Sequence, residues 1–279
     1  MSRHTTFRTG GPADILVTPK AEQISEILAL CKEKQIPWTV IGNGSNLLVG
    51  DGGIRGIVLE IGKQMSEISI EGTKITAGAG AMLSAIASKA AAQELTGLEF
   101  ASGIPGSLGG AVVMNAGAYG GEMKDVLTEV TVLTPEGTFL TLPVAELDLS
   151  YRHSIIPERG YLVVSAVLEL HPGKAEEIRA VMEDLKEKRV SKQPLEYPSA
   201  GSTFKRPEGY FAGKLIQDAG LRGFQVGGAQ VSEKHCGFVI NRDHATSADI
   251  CNLMNQVSEI VFEKFSVRLE AEVKKIGEF

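Results

Sequence analysis

Five short segments carry side chains or bare backbone that could do chemistry. Gly42-Asn43-Gly44-Ser45-Asn46-Leu47 follows the apolar run Trp38-Thr39-Val40-Ile41. Backbone N–H groups at such a strand end can cradle a phosphate. The spacing departs from a dinucleotide fingerprint, because Leu47 holds the third glycine position and no helix pattern follows at once. A polar turn between strands is the other reading. The second segment is Ser102-Gly103-Ile104-Pro105-Gly106-Ser107-Leu108-Gly109-Gly110, continuing through Asn115-Ala116-Gly117-Ala118-Tyr119-Gly120. A flat ligand resting on bare backbone explains both the glycines and the lack of charge. A tightly packed connection is the alternative.

The remaining three segments are charged. In Tyr151-Arg152-His153-Ser154 the guanidinium is ordinary surface unless it has partners. Gly201-Ser202-Thr203-Phe204-Lys205-Arg206-Pro207, with Lys214 further on, is neither a P-loop nor a nucleophile elbow, since Ala200 replaces the first glycine of the latter. In Leu269-Glu270-Ala271-Glu272-Val273, alternation puts Glu270 and Glu272 on one strand face. The five histidines show no ligand spacing of the H-E-x-x-H kind, so no catalytic metal is expected.

Composition narrows the partners. Glycine supplies 32 of 279 residues, against a usual roughly 7%. Eighteen of them fall between Gly42 and Gly121 without a fixed period, which excludes collagen and low-complexity linkers. A net charge of −6 argues against nucleic acid as partner, while leaving room for an anionic small molecule at a local positive site. Cys31, Cys236 and Cys251 form no C-x-x-C pair, so a reducing cytoplasm fits. Neither a signal peptide nor a membrane span is expected.

The elements that must position these segments follow from periodicity. Residues 20–35 read as a helix closed by Pro37, and 38–41 and 54–61 as strands, a βαβ-like opening. A hairpin around Glu71-Gly72 and a small-residue helix over 82–95 precede the glycine-rich stretch 97–121, which has no periodicity of its own. Strands at 126–134, 138–142 and 161–170 follow. Residues 175–190 form an amphipathic helix with Ile178, Val181, Met182 and Leu185 on one face. Pro194 and Pro198 mark a domain boundary. Beyond it come a short helix at 211–219, a strand at 237–241, a helix at 246–264 and a final strand at 266–276. Mixed order without strict βαβ alternation favours α+β.

Taken in order, seven motifs resemble one family: the Gly42–Leu47 loop, Ser102–Gly120, Tyr151-Arg152-x-Ser154, Gly201-Ser202-x-Phe204-Lys205, Val231-Ser232-Glu233-Lys234-His235, Gly237–Asn241 and Glu272-Val273. The family is the UDP-N-acetylenolpyruvoylglucosamine reductases (MurB), in the shorter class that lacks a tyrosine-bearing insertion. The resemblance begins at Thr5-Thr6-Phe7-Arg8-Thr9-Gly10-Gly11-Pro12-Ala13 and covers essentially the whole chain.

The resemblance implies an α+β, FAD-binding fold of the vanillyl-alcohol-oxidase (PCMH) type. It places FAD-binding subdomains at 1–62, with strand 270–279 returning near them, and at 63–192, and a substrate-binding domain at 193–269. FAD would be non-covalent and NADPH the reductant, acting on a UDP-sugar enolpyruvyl ether in the cytoplasm, with a monomer plausible. Gly42, Asn43, Gly44, Ser45, Asn46 and Leu47 would bind the pyrophosphate. Ser102, Gly103, Ile104, Pro105, Gly106, Gly109, Gly110, Asn115, Ala116, Gly117 and Tyr119 would lie along the flavin. Ser202 would donate a proton, with Arg152 and Glu272 beside the enolpyruvyl carboxylate, and Lys205, Lys214 and Tyr151 would contact substrate. A non-catalytic flavin or nucleotide-sugar binder would keep the glycine segments without needing Ser202 or Glu272.

Overall fold

The structure, a computed structural model, describes all residues 1–279. In chain order it contains β1 (Ala13–Val17), α1 (Ala21–Lys34), β2 (Trp38–Ile41), β3 (Leu47–Val49), β4 (Ile54–Glu60), β5 (Ile68–Glu71), β6 (Lys74–Gly78), α2 (Leu83–Ala92) and β7 (Leu95–Thr96). Next come α3 (Leu108–Val113), β8 (Gly117–Ala118), β9 (Gly121–Glu122), β10 (Leu127–Leu133), β11 (Phe139–Pro143), β12 (Leu162–Glu169) and β13 (His171–Pro172). The chain ends with α4 (Ala175–Lys192), α5 (Ala212–Asp218), β14 (Gln225–Val226), β15 (Ala229–Val231), β16 (Val239–Asn241), α6 (Ser247–Phe265) and β17 (Lys274–Ile276). No helix is long and apolar enough to cross a membrane.

These elements form two compact bodies. The first comprises residues 15–43 and 56–189. Its parallel β2–β4 pair, Trp38 opposite Ile57, is joined to β1 in a three-stranded sheet. A five-stranded antiparallel sheet runs β11-β10-β12-β6-β5, with Val130 opposite Ala166 and Val167 opposite Thr76. Helical spacing puts Ile24, Leu28 and Cys31 of α1 into its core. α2 contributes Ile86, Ala87, Ala90 and Ala91, whose small side chains allow close approach of the backbone.

The second body comprises 1–14, 44–55 and 190–279 and has its own core. α6 lays Ile250, Leu253, Met254, Val257 and Val261 into it at i, i+3, i+4, i+7 and i+11. Its N-terminus is held by a capping box, in which the Asp249 N–H donates to Thr246 Oγ1 at 3.0 Å and the Thr246 N–H donates back to Asp249 Oδ2 at 3.0 Å. The Ser247 and Ala248 N–H groups donate to the Asp51 carboxylate at 2.8 and 2.9 Å. β14-β15-β16 form a small antiparallel sheet, and β17 pairs in parallel with β3, Lys274 opposite Leu47.

Three expectations need correction. The stretch 97–121 is not without structure, since it contains α3 and the β8–β9 pair. Burial of Leu108, Ala111 and Val112 makes a helix there despite two glycines, a tertiary override of weak propensity. The final strand is only Lys274–Ile276, with Ala271 in an isolated bridge to Phe204. Glu270 is consequently exposed while Glu272 is buried, so the two glutamates do not share a face. On α4 only Ile178 is buried, and Val181 is 46% exposed. The apolar spacing is real, but the face is only partly covered: Met182 packs against the core and Leu185 is half-buried.

Candidate active site

In the second body the segment carrying Ser202 lies between two other pieces of chain. On one side the Thr203 N–H donates to the Gly237 carbonyl at 2.9 Å, and the Val239 N–H donates to Thr203 Oγ1 at 2.8 Å. On the other, the Glu272 N–H donates to the Thr203 carbonyl at 2.9 Å and the Lys205 N–H donates to the Glu270 carbonyl at 2.8 Å. The structure therefore brings Ser202 and Glu272 together from 70 positions apart. Ser202 is exposed; Thr203 beside it is fully buried and Glu272 is buried. The exposed Ser202 side chain is thus carried next to a fully buried, hydrogen-bonded residue.

The later part of the Gly42–Leu47 loop joins the same cluster. Asn46 Nδ2 donates to the Glu272 carbonyl at 3.1 Å, and the Lys274 N–H donates to the Asn46 carbonyl at 3.0 Å. Gly44 has φ +64°, and a Cβ there would stand 2.1 Å from the His4 carbonyl oxygen, so this turn requires glycine. Lys205 is ion-paired with Glu270, and Lys214 with Asp218 at 2.5 Å. The Arg206 guanidinium lies 4.0 Å from the Phe211 ring centroid.

The first body holds the start of the loop together with the glycine-rich segment. Asn43 Nδ2 donates to the Pro105 carbonyl at 2.7 Å, and a Cβ on Gly42 would stand 2.5 Å from Ser107 Oγ. The glycines of the segment divide into two kinds. Gly109 is demanded by the protein's own packing, since a Cβ would come 2.9 Å from the Ala79 Cβ. Gly120 faces open space, a Cβ on Gly110 would meet only Ser107 Oγ at 3.8 Å, and Gly103 faces only the Arg189 side chain, with Cδ 3.3 Å from a Cβ there. Bare, open backbone beside a glycine turn is the kind of surface a planar cofactor with a pyrophosphate can occupy, so these residues fit FAD.

Asn115 is buried and its side chain is committed to the fold. Nδ2 donates to Glu122 Oε2 at 2.5 Å and to the Ser150 carbonyl at 3.2 Å, while Oδ1 accepts the Lys124 N–H at 2.9 Å. The Ser150 contact connects the glycine segment to the turn that carries Arg152. That turn is closed by reciprocal Ser150–His153 backbone bonds at 3.3 and 3.1 Å, and Ser154 Oγ donates to the Val113 carbonyl at 2.7 Å. Arg152 has φ +56°, an uncommon backbone conformation for a residue with a side chain. Its guanidinium stands 5.0 Å from the Tyr151 ring centroid.

Three residues at these sites escaped the sequence reading. Thr203 hides between two more conspicuous residues, and nothing in its type marks it as a hub. Arg189 looks like a solvated helix arginine, yet burial lowers its pKa and Tyr119 lies near enough to oppose that shift. Asp51 sits in a Gly-Asp-Gly turn whose role as a helix cap depends on α6, almost two hundred positions later.

Known proteins fit this geometry. Residues 193–276 match the C-terminal domain of UDP-N-acetylenolpyruvoylglucosamine reductase. Residues 12–143 match an FAD binding domain. A UDP-N-acetylenolpyruvoylglucosamine reductase of Agathobacter rectalis is 61% identical over 100% of this chain and 93% of its own length. The chain belongs to the UDP-N-acetylenolpyruvoylglucosamine reductase family. A relative of the same name from Clostridioides difficile is 53% identical over 100% of this chain and 92% of its own. The crystal structure of the reductase (MurB) from Thermus caldophilus superposes with a TM-score of 0.84 at 36% identity, covering 98% of this chain and 96% of that one. The fold is accordingly the α+β, FAD-binding fold of this reductase family. The reductase C-terminal match takes in Ser202, Lys205, Lys214 and Glu272, and the FAD-binding match takes in the Gly42–Leu47 loop and Ser102–Gly120. Arg152 and Tyr151 lie in neither range.

Proposed function

We propose that the chain reduces UDP-N-acetylglucosamine enolpyruvate to UDP-N-acetylmuramate, a step in peptidoglycan precursor synthesis, using FAD and NADPH. The observation that carries this reading is the Glu272-to-Thr203 backbone bond, which ties the buried residue Glu272 to the segment carrying the exposed Ser202 in a chain of the reductase family. FAD, held non-covalently, would supply hydride chemistry, with NADPH as the source and the enolpyruvyl double bond as the acceptor.

The chain's own residues have the remaining tasks. Gly42, Asn43, Gly44, Ser45, Asn46 and Leu47 hold the pyrophosphate, and the Ser102–Tyr119 segment holds the flavin. Hydride addition at one carbon leaves charge on the carbon beside the carboxylate. Ser202 gives that carbon its proton without placing a permanent charge near the incoming hydride. Arg152 stabilises the developing enolate, an effect for which losing one such donor typically costs about 10²–10³ in rate. Glu272 acts on the same carboxylate. Lys205, Lys214 and Tyr151 bind the rest of the substrate, the lysines through its diphosphate. Residues 193–269 form the substrate-binding part, and residues 1–62 with 270–279, together with 63–192, form the FAD-binding part. On this reading the chain works in the cytoplasm.

The test is spectroscopic. The purified chain loaded with FAD is yellow, NADPH bleaches it, and the enolpyruvyl substrate restores the colour. A chain that takes up no FAD overturns the reading. Bleaching without restoration by this substrate makes it a flavin oxidoreductase for something else.

A further inference from the structure

Hydrogen bonds from two other stretches of chain converge on Thr203, and one leads onward to a histidine. The Gly237 carbonyl that accepts the Thr203 N–H belongs to a residue whose own N–H donates to His235 Nδ1 at 3.0 Å. Nδ1 is therefore the unprotonated nitrogen of that ring. The ring has little room to move. Cε1 stands 3.3 Å from where a Gly213 Cβ would lie and 2.9 Å from a Gly237 Cβ. Phe238 meets the ring edge-on at 5.0 Å and 68°. The His235 N–H donates to Ser232 Oγ at 3.2 Å.

We propose that His235 is a positioning residue for Ser202 and Glu272: its Nδ1 holds the Gly237 N–H, the Gly237 carbonyl holds the Thr203 N–H, and Thr203 fixes the backbone that carries both. The inference rests on the reading of Ser202 and Glu272 as catalytic. A proton on Nδ1 would set a donor against the Gly237 donor, and the chain of bonds would open at its first link.

The surroundings keep that proton away. Burial lowers the His235 pKa; a hydrogen bond with its own backbone opposes that shift, and the positive charge of Arg222 adds to it. Arg222 itself donates to the Glu233 carbonyl and to Gln217 Oε1. α5 presents Gly213 to the ring, and the next residue, Lys214, is neutralised by Asp218. Lys234, alongside in sequence, pairs with Glu196 at 3.8 Å, and burial pushes the Cys236 thiol up. No carboxylate is hydrogen-bonded to the ring to favour its charged form.

The test uses the FAD-loaded enzyme with His235→Asn and His235→Leu, following each half-reaction by flavin absorbance. Asn places a carboxamide oxygen near the position of Nδ1, whereas Leu offers no acceptor. Reduction by NADPH is expected to be unchanged in both variants. Re-oxidation by the enolpyruvyl substrate should slow roughly 10- to 100-fold in the Leu variant, the scale of a misplaced reacting group. The Asn variant should recover most of that rate. Wild-type re-oxidation should fall as pH drops below the ordinary histidine range, and the Asn variant should lack that acid limb. Wild-type behaviour in the Leu variant overturns the proposal, as does equal slowing in both variants or an acid limb unchanged in the Asn variant. Should the Leu variant not fold, the pH profile of the Asn variant decides. If Ser202→Ala slows re-oxidation while the His235 variants do not, only this inference fails. If the wild type is not re-oxidised at all, the proposed function and this inference fall together.

Discussion

The Glu272 N–H donates to the carbonyl of Thr203, the residue directly after Ser202. The candidate proton donor and the candidate carboxyl partner are thereby positioned by backbone, independently of what either side chain does. Truncating one side chain should leave the other in place, which makes single substitutions at this site interpretable.

Ser202→Ala should leave reduction by NADPH intact and slow re-oxidation by the enolpyruvyl substrate at least about 10²-fold, the usual worth of a positioned general acid. Stopped-flow measurement of the two half-reactions separates them. Equal slowing of both would remove Ser202 from the role of proton donor.

Thr203→Val keeps the shape of a fully buried side chain but deletes the acceptor of the Val239 N–H. An unsatisfied buried donor costs roughly 1–3 kcal/mol, so the midpoint of denaturant unfolding should fall accordingly. Thr203→Ser keeps the hydroxyl and should lose less. The opposite ranking would show that the methyl group, not the hydrogen bond, matters here.

Gly42→Ala would put a methyl group 2.5 Å from Ser107 Oγ, pressing the loop away from the glycine-rich segment. FAD retention on dilution should drop about tenfold or more, on the scale of 1–3 kcal/mol for overpacking. Adding Ser107→Gly removes the clashing atom and should restore part of the affinity, a coupling expected of residues in contact. Two independent, additive effects would show that the loop and the segment do not act on the cofactor together.

At the start of α6, hydrogen bonding from the Thr246 N–H first, and from the Gly228 N–H after it, holds the Asp249 carboxyl below its ordinary pKa. A depressed carboxyl pKa contributes stability above the unfolded value, and that contribution is lost as pH falls through the folded one. The contribution should therefore be complete at neutral pH and disappear below about pH 3.8, the ordinary value for this group. Asp249→Asn should flatten unfolding free energy against pH in that acid window. Thr246→Ala should cost about 0.5–2 kcal/mol through loss of the cap. An Asp249→Asn profile parallel to wild type would exclude this carboxyl as a contributor to acid lability.

Much of this molecule was legible from local pattern. The 3.6-residue spacing of Ile24, Leu28 and Cys31 foretold α1, and the turn Pro135-Glu136-Gly137 foretold the β10–β11 hairpin, because helix faces and tight turns are set by residues near one another in sequence. The glycine excess pointed to backbone that must be approached closely, and the order of the motifs pointed to the family. Their separate reasons were not legible. Gly109 is small because Ala79 packs against it, while Gly120 faces open space, and composition does not distinguish a glycine crowded by its own fold from one left open.

What the sequence determined by itself was which chemistry-bearing residues exist and which elements carry them. Only the tertiary structure decided how they are held. Alternation paired Glu270 with Glu272, but strand pairing stops short of them, leaving one exposed and the other buried against the segment that carries Ser202. Thr203 and His235 gained their importance from hydrogen bonds spanning 34 positions between Thr203 and Gly237 and 69 between Thr203 and Glu272. Such partners are set by the burial of a whole core, because a polar group taken out of water must pair with whatever the fold brings beside it.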